Sequence, residues 1–214
     1  MEKAIWLVAA YLIGGIPFGF LIGKCRGVDV RTVGSKNIGA TNVFRTVGKG
    51  WGFLALALDM MKGLLPTLAC RFWGPEPLVS GSVSFQMPLL VGLACVFGHM
   101  LTPYMKFKGG KGVATGFGML IALLPAMVGV AFLVFAALFA ATNFISLGSC
   151  GAATFLAVAV WFPILGSPGW AGDKPLSILV ALLGAFVVFK HRANIGRLLR
   201  GEENKIYLFR KKPA

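Results

Sequence analysis

Three stretches of this chain place cations beside groups able to bind an anion. The first runs Gly34-Ser35-Lys36-Asn37-Ile38-Gly39-Ala40-Thr41-Asn42, with Arg45 following. Glycines let backbone approach a ligand, and hydroxyl, amide and N–H donors suit phosphate oxygens. The same composition also describes an ordinary polar loop. It is not a Walker loop, because the G-x-x-x-x-G-K-[ST] order is missing. The second stretch contains Gly98-His99 and then Phe107-Lys108-Gly109-Gly110-Lys111-Gly112-Val113-Ala114-Thr115. A Gly-Gly-Lys-Gly turn opening into a helix is expected to set free backbone N–H groups and a positive dipole end beside a lysine, which makes an anion site. The competing reading is a basic membrane anchor with glycines for close helix packing. In the third stretch His191, Asn194, Arg197 and Arg200 recur at spacing that puts them on one helix face, with Glu202 and Glu203 after them. That face is either a binding face or an interfacial one.

These groups need elements to hold them, and composition decides which. Of 214 residues 57% are hydrophobic and 13% charged, against about 25% charged in a soluble domain. The apolar residues form continuous runs of about 20 rather than alternating, which excludes a β-barrel. The expected class is an all-α, polytopic integral membrane protein. A net charge of +14 would suggest nucleic acid in a soluble chain. Here it reads mainly as the cytoplasmic bias of membrane loops, with a basic site for an anionic substrate as the remainder. No nucleic-acid partner is expected. Cys25, Cys70, Cys95 and Cys150 form no C-x-x-C pair, so neither a metal site nor a redox motif is indicated. The first apolar run lacks an A-x-A cleavage site and is expected to be a retained span.

Expected spans are Ala4–Ile22, Trp51–Phe72, Pro88–Tyr104, Val113–Ala141, Leu147–Leu165 and Leu176–Phe189. One helix over Val113–Ala141 would measure about 43 Å, well beyond a hydrocarbon core of about 30 Å. Loop charge settles its reading. Loop 23–50, loop 105–112 and the tail after Phe189 hold most of the 21 Lys and Arg, the tail including Lys205, Arg210, Lys211 and Lys212. Segments 74–86 and 166–175 are poor in base, with Glu76 in one and Asp173 and Lys174 in the other. All three basic segments should be cytoplasmic. Splitting the long run at Pro125 into two short helices achieves that. Seven transmembrane helices follow, with the N-terminus outside and the C-terminus cytoplasmic.

Two charges fall inside a span. Asp59 and Lys62 lie three apart on one helix and read as a mutual pair that avoids unpaired burial, or as a device orienting the site. Ser146 and Ser149 stand at the start of the sixth span, where they can donate to a phosphate or cap the helix. No Asp or Glu partner for His191 is identifiable.

Together these motifs resemble the bacterial acyl-phosphate:glycerol-3-phosphate acyltransferases, the PlsY family. The resemblance rests on G-S-x-N-x-G-A-T-N with its Arg, on G-H-x-x-x-x-x-x-x-F-x-G-G-K-G-V-A-T, and on H-x-x-N-I-x-R-L-x-x-G-x-E. Asp59–Gly63 and 146–149 add to it. Lys36 departs from the commonest form, which has Gly there.

The resemblance implies a single membrane domain over 1–214, in the bacterial inner membrane with its site facing the cytoplasm. It implies acyl transfer from acyl phosphate to the sn-1 hydroxyl of glycerol 3-phosphate, an early step of phospholipid synthesis yielding lysophosphatidate and phosphate. Catalytic roles fall to Ser35, Arg45, Lys111, His191 and Asn194. Substrate or phosphate binding falls to Gly34, Asn37, Thr41, Asn42, Gly109, Gly110, Gly112, Ser149 and Arg197. Asp59, Lys62 and Glu202 are structural. No cofactor and no metal are expected, because an acyl phosphate is already activated. The general base is either His191 or the phosphate of the donor. Membrane lipid and the soluble enzyme that makes acyl phosphate are candidate partners. The acyltransferase signature H-x-x-x-x-D is absent, since Tyr104 and Gly196 stand where the Asp would be. A transporter of a small organic phosphate is the alternative reading.

Overall fold

The computed structural model of this chain describes residues 1–80, 83–162 and 174–206. The last residues of the expected Leu147–Leu165 span lie outside these, as do Asp173, Arg210, Lys211 and Lys212. The chain divides into two compact units, Met1–Pro125 and Ala126–Ala214.

The first unit opens with α1 (Glu2–Gly15) and α2 (Phe18–Cys25), which make one apolar span, Glu2–Cys25, interrupted near its middle. The hydropathy of the run suggests no interruption, but Pro17 has no N–H to continue the ladder, and Ile16 before it takes φ −55° and ψ 118°. After a loop come α3 (Ala40–Thr46) and the long α4 (Lys49–Trp73). A hairpin of β1 (Leu78–Ser80) and β2 (Val83–Phe85) follows, antiparallel with Leu78 opposite Phe85. It occupies the base-poor segment 74–86, for which the sequence pattern predicts no strand. Then come α5 (Met87–Met100), a 3-10 turn at Pro103–Met105, and α6 (Val113–Leu123).

Small residues bring these helices together, as packing in lipid requires. A Cβ on Gly14 of α1 would strike the Cys95 carbonyl of α5, and one on Gly98 of α5 would strike the Tyr11 carbonyl. Gly63 of α4 and Gly118 of α6 bear the same relation to Thr115 and Met60. Ala10, Cys70, Met87, Val91 and Cys95 form one buried cluster. Lys62 reaches the Ile16 carbonyl toward the other end, and Arg71 reaches the Ala122 carbonyl at the end of α6. Helices α1 and α5 therefore run one way, and α4 and α6 the other.

In the second unit α7 (Pro125–Thr142, its first residue belonging to the first unit) leads through Asn143, φ 61°, into α8 (Ile145–Ala159). Helix α9 (Lys174–Lys190) packs on α8 with Gly184 against Ala153 and Ala157, then bends by 52° into α10 (Arg192–Leu199).

The run Val113–Ala141 thus breaks at Leu124–Pro125, where the split is expected. Among the described residues four helices are long and apolar enough to cross a membrane: Glu2–Cys25, Lys49–Trp73, Met87–Met105 and Pro125–Thr142. The bent pair α9–α10 brings the number to five if it is counted as one span, and α6 and α8 are shorter apolar helices.

Candidate active site

The loop between α2 and α3 is closed from within. Asn42, buried on α3, gives Nδ2 to the carbonyls of Val30 (2.7 Å) and Val33 (3.2 Å), and its Oδ1 accepts the Ser35 N–H (2.8 Å). Its amide, expected to bind phosphate, instead draws both limbs of the loop together. Gly34 turns the chain at φ 60°, with Asn42 Oδ1 where a Cβ would stand. Asn37 likewise spends its Oδ1 on the Gly39 N–H (2.8 Å). Lys36, at φ 56°, takes the left-handed conformation that favours glycine. Ser35 is left exposed at the loop surface, Thr41 is half-buried, and Arg45 stands in the last turn of α3. Phe44 rests against Gly52 and packs edge-on to Phe53, which seats α3 on α4. On the outer side, hydrogen bonds from the Arg31 side chain and N–H hold the Asp29 carboxyl down at about 2.

The second basic stretch is also built onto α4. Lys62 Nζ lies 2.7 Å from Asp59 Oδ1, with both side chains 2% exposed, so the expected pair forms. The same ammonium donates to the Ile16 carbonyl (2.8 Å), which the break at Pro17 leaves outside the ladder. Thr102 Oγ1 donates to the neighbouring Gly15 carbonyl (2.6 Å). Across from Asp59 stands His99, Nδ1 at 3.6 Å from Oδ1. The glycine turn then lies directly on His99: Gly110 N–H donates to its carbonyl (3.0 Å), and Gly109 N–H to that of Met100 (3.1 Å). Those two N–H groups, expected to face an anion, are therefore engaged inside the protein. Gly112, at φ 79°, is the N-cap of α6 and carries no side-chain cap. Lys111 is thus presented between a clamped Gly-Gly and a helix start. The turn sits at the level of Asp59, ten residues past Lys49 and roughly 15 Å along α4.

In the second unit the cluster centres on Glu203. Its Oε1 accepts Ser146 Oγ (2.9 Å) and Asn194 Nδ2 (2.6 Å), and its Oε2 accepts Arg197 Nε (2.7 Å). Burial opposes ionisation of this carboxyl. The hydrogen bonds from Asn194, Arg197 and Ser146, with the Arg197 charge, outweigh that and hold it below the usual carboxylate range. Ser146, the second residue of α8, therefore serves Glu203, and the N-cap position falls to Phe144, which has no side-chain cap bond. Ser149, one turn on, is buried. His191 lies at the bend between α9 and α10 with Nδ1 2.8 Å from the Val187 carbonyl, an interaction that fixes the ring.

Glu202, expected to be structural, instead pairs with Arg200 on the surface at 2.8 Å, side chains 57% and 60% exposed. The expected single face thus parts: Asn194 and Arg197 turn to Glu203, and Arg200 turns away. The reason is Gly201, φ 71°, which reverses the chain after α10 and brings Glu203 back under it. Glu203 and His99 are the residues that sequence reasoning leaves unassigned. The tail pattern H-x-x-N-I-x-R-L-x-x-G-x-E ends on Glu203, which is the available signal. For His99 the signal is a lone imidazole in an apolar helix.

Residues 4–201 match the family described as glycerol-3-phosphate acyltransferase. A glycerol-3-phosphate acyltransferase of Trichlorobacter lovleyi is 44% identical over 94% of this chain and 95% of its own length. One of Aquifex aeolicus is 41% identical over 95% of this chain and 99% of its own length. Among solved structures, the crystal structure of PlsY, an integral membrane glycerol 3-phosphate acyltransferase, in its glycerol 3-phosphate form superposes with a TM-score of 0.82 at 36% identity, covering 98% of this chain and all of the other. The lysophosphatidic acid form gives 0.78 at 36% identity, over 97% and 96%.

Proposed function

The chain belongs to the glycerol-3-phosphate acyltransferase family, and from that premise we propose that it moves a fatty acyl group from acyl phosphate to the sn-1 hydroxyl of glycerol 3-phosphate. The hydroxyl oxygen attacks the acyl carbonyl carbon, the bond to the phosphate oxygen breaks, and lysophosphatidate and inorganic phosphate leave. The observation that carries this reading is that both basic stretches of the first unit are mounted on one helix. Phe44 against Gly52 seats the Arg45 segment on α4, and Asp59 with His99 seats the Lys111 turn on it. A donor and an acceptor that each bear a phosphate call for more than one such cation. The relatives' shared acceptor supports glycerol 3-phosphate, and the lysophosphatidic acid form of PlsY supports the product.

In this reading Ser35, Arg45 and Lys111 hold phosphate and offset charge as it develops on the carbonyl and the leaving group. His191 and Asn194 orient glycerol 3-phosphate, and Ser149 and Arg197 help to bind phosphate. The donor's own phosphate takes the hydroxyl proton. Glu203 already accepts from Ser146, Asn194 and Arg197, and these donors hold it ionised, which makes it a poor base.

Seven crossings, with the N-terminus outside and the basic segments in the cytoplasm, complete the proposal. The opposed directions of α1 and α5 against α4 and α6 support it, as does the break at Pro125. At about 16 Å the 11 residues of α6 are short for a crossing, so the bilayer must thin there or neighbouring protein must cover its ends. The family match crosses the boundary at Pro125, which supports one functional domain, and this reading places it in the bacterial inner membrane. The test is purified protein in micelles with acyl phosphate. Phosphate release that requires glycerol 3-phosphate supports the reading, and no release, or release indifferent to glycerol 3-phosphate, contradicts it. A transporter would need a gradient that micelles do not hold.

A further inference from the structure

We propose that His99 is a positioning residue for Lys111, held in place by Asp59; the proposal rests on the assignment of Lys111 to phosphate made above. His99 is buried in an apolar helix beside Cys95, Val96 and Met100, neighbours that do not themselves call for an imidazole. Asp59 has a second partner in Lys62, which stands 2.7 Å from the same carboxylate oxygen. The imidazole instead bridges two things. On one side Nδ1 faces Asp59 Oδ1 at 3.6 Å. On the other Nε2 lies where a Cβ on Gly110 would be, so the Gly110 backbone rests on the ring edge.

The main chain makes the same junction, through Gly110 N–H to the His99 carbonyl and Gly109 N–H to that of Met100. Lys111 follows Gly110 directly, so the peptide lying on the imidazole sets the direction in which the lysine leaves the turn. Asp59 is itself fixed, since its partner Lys62 is tied to the Ile16 carbonyl at the break in the first span. A rigid line therefore runs from α4 through His99 to the turn that presents the cation. Misplacing a group that stabilises charge by about 1 Å can cost on the order of 100-fold in rate.

The test is a double-mutant cycle between His99→Asn and Lys111→Met, read as kcat/KM for phosphate release, with thermal unfolding in micelles recorded for each variant. With Lys111 present, His99→Asn should lower kcat/KM by about 10–100-fold, chiefly in kcat. In the Lys111→Met background it should cost nothing further, because the group it positions is gone. A merely structural role would give the same fold-loss in both backgrounds, which overturns the proposal, as does an active His99→Asn variant. Gly110→Ala reaches the same contact from the turn with His99 intact. It must show the same dependence on Lys111, so the idea stays testable if His99→Asn fails to fold. A Lys111→Met variant as active as the parent would overturn the Lys111 assignment itself and be distinguishable from failure at His99.

Discussion

Asn194 gives its Nδ2 to Glu203 Oε1 at 2.6 Å, and so the amide assigned to substrate is oriented by a carboxylate nine residues further along the chain. Ser146 shares that oxygen and Arg197 takes the other, which leaves Glu203 as the hub of the second unit's polar cluster.

Glu203→Gln should therefore destabilise the protein by about 1–3 kcal/mol, the cost of leaving buried donors poorly matched, discounted for the part-exposed Arg197. Glu202→Gln removes only the exposed pair with Arg200 and should stay within about 0.5 kcal/mol of the parent. Thermal unfolding of both variants in micelles checks the contrast. Equal losses would place the two glutamates in equivalent settings, against the geometry.

The same carboxylate predicts an acid limb. Glu203 titrates below its unfolded value of 4.5, so its stabilisation is fully present above that pH and is lost as pH falls through the folded value. The unfolding temperature of the parent should drop below about pH 4.5 more steeply than that of Glu203→Gln. Asp29, a half-buried residue whose ionised form is held down to about 2, adds a loss of its own only below its unfolded value of 3.8. Parallel pH curves would contradict the role given to Glu203.

In the first loop Asn42 and Lys36 make opposite forecasts. Lys36→Gly removes a side chain from a left-handed position and should stabilise by about 0.5–1 kcal/mol with turnover unchanged. Asn42→Ala removes three hydrogen bonds that close the loop, at about 2–4 kcal/mol, and should impair activity through Ser35 and Arg45. Unfolding and phosphate release together check both. An Asn42→Ala variant as stable as the parent would mean the loop is closed some other way.

Much of this architecture is legible in the amino-acid sequence. The run Val113–Ala141 is too long for one crossing, and loop charge points to Pro125, where the helix does break. Asp59 and Lys62 at helical spacing give their pair. The interruption at Ile16–Pro17 does not show in the hydropathy of the run, and Pro17 alone does not decide it, since Pro66 lies inside the unbroken α4; the carbonyls that the break releases are satisfied by Lys62 and Thr102 from other elements. Asn42 is deceptive for a similar reason: an amide in a glycine-rich loop looks like a ligand donor until the carbonyls of Val30 and Val33 are brought to it. Spacing also misleads at the tail, where helical periodicity alone gives a continuous face over 191–200. The 52° bend and Gly201 select Glu203 over its neighbour, and adjacent identical residues cannot be told apart by periodicity.

Topology has its own check. A reporter fused after Pro125 should read as outside, and one placed within 105–112 as cytoplasmic. An inside signal after Pro125 would mean that α6 does not cross, and would end the seven-span account.

The most direct measurement follows the acyl group. Purified protein in micelles is given acyl phosphate labelled in the acyl chain, with glycerol 3-phosphate, and the labelled products are separated and counted against phosphate released. Acyl transfer predicts label in lysophosphatidate, one phosphate for each, and none when glycerol 3-phosphate is omitted. Label recovered as free fatty acid, with phosphate released at the same rate whether or not glycerol 3-phosphate is present, would make the protein a hydrolase and contradict the account.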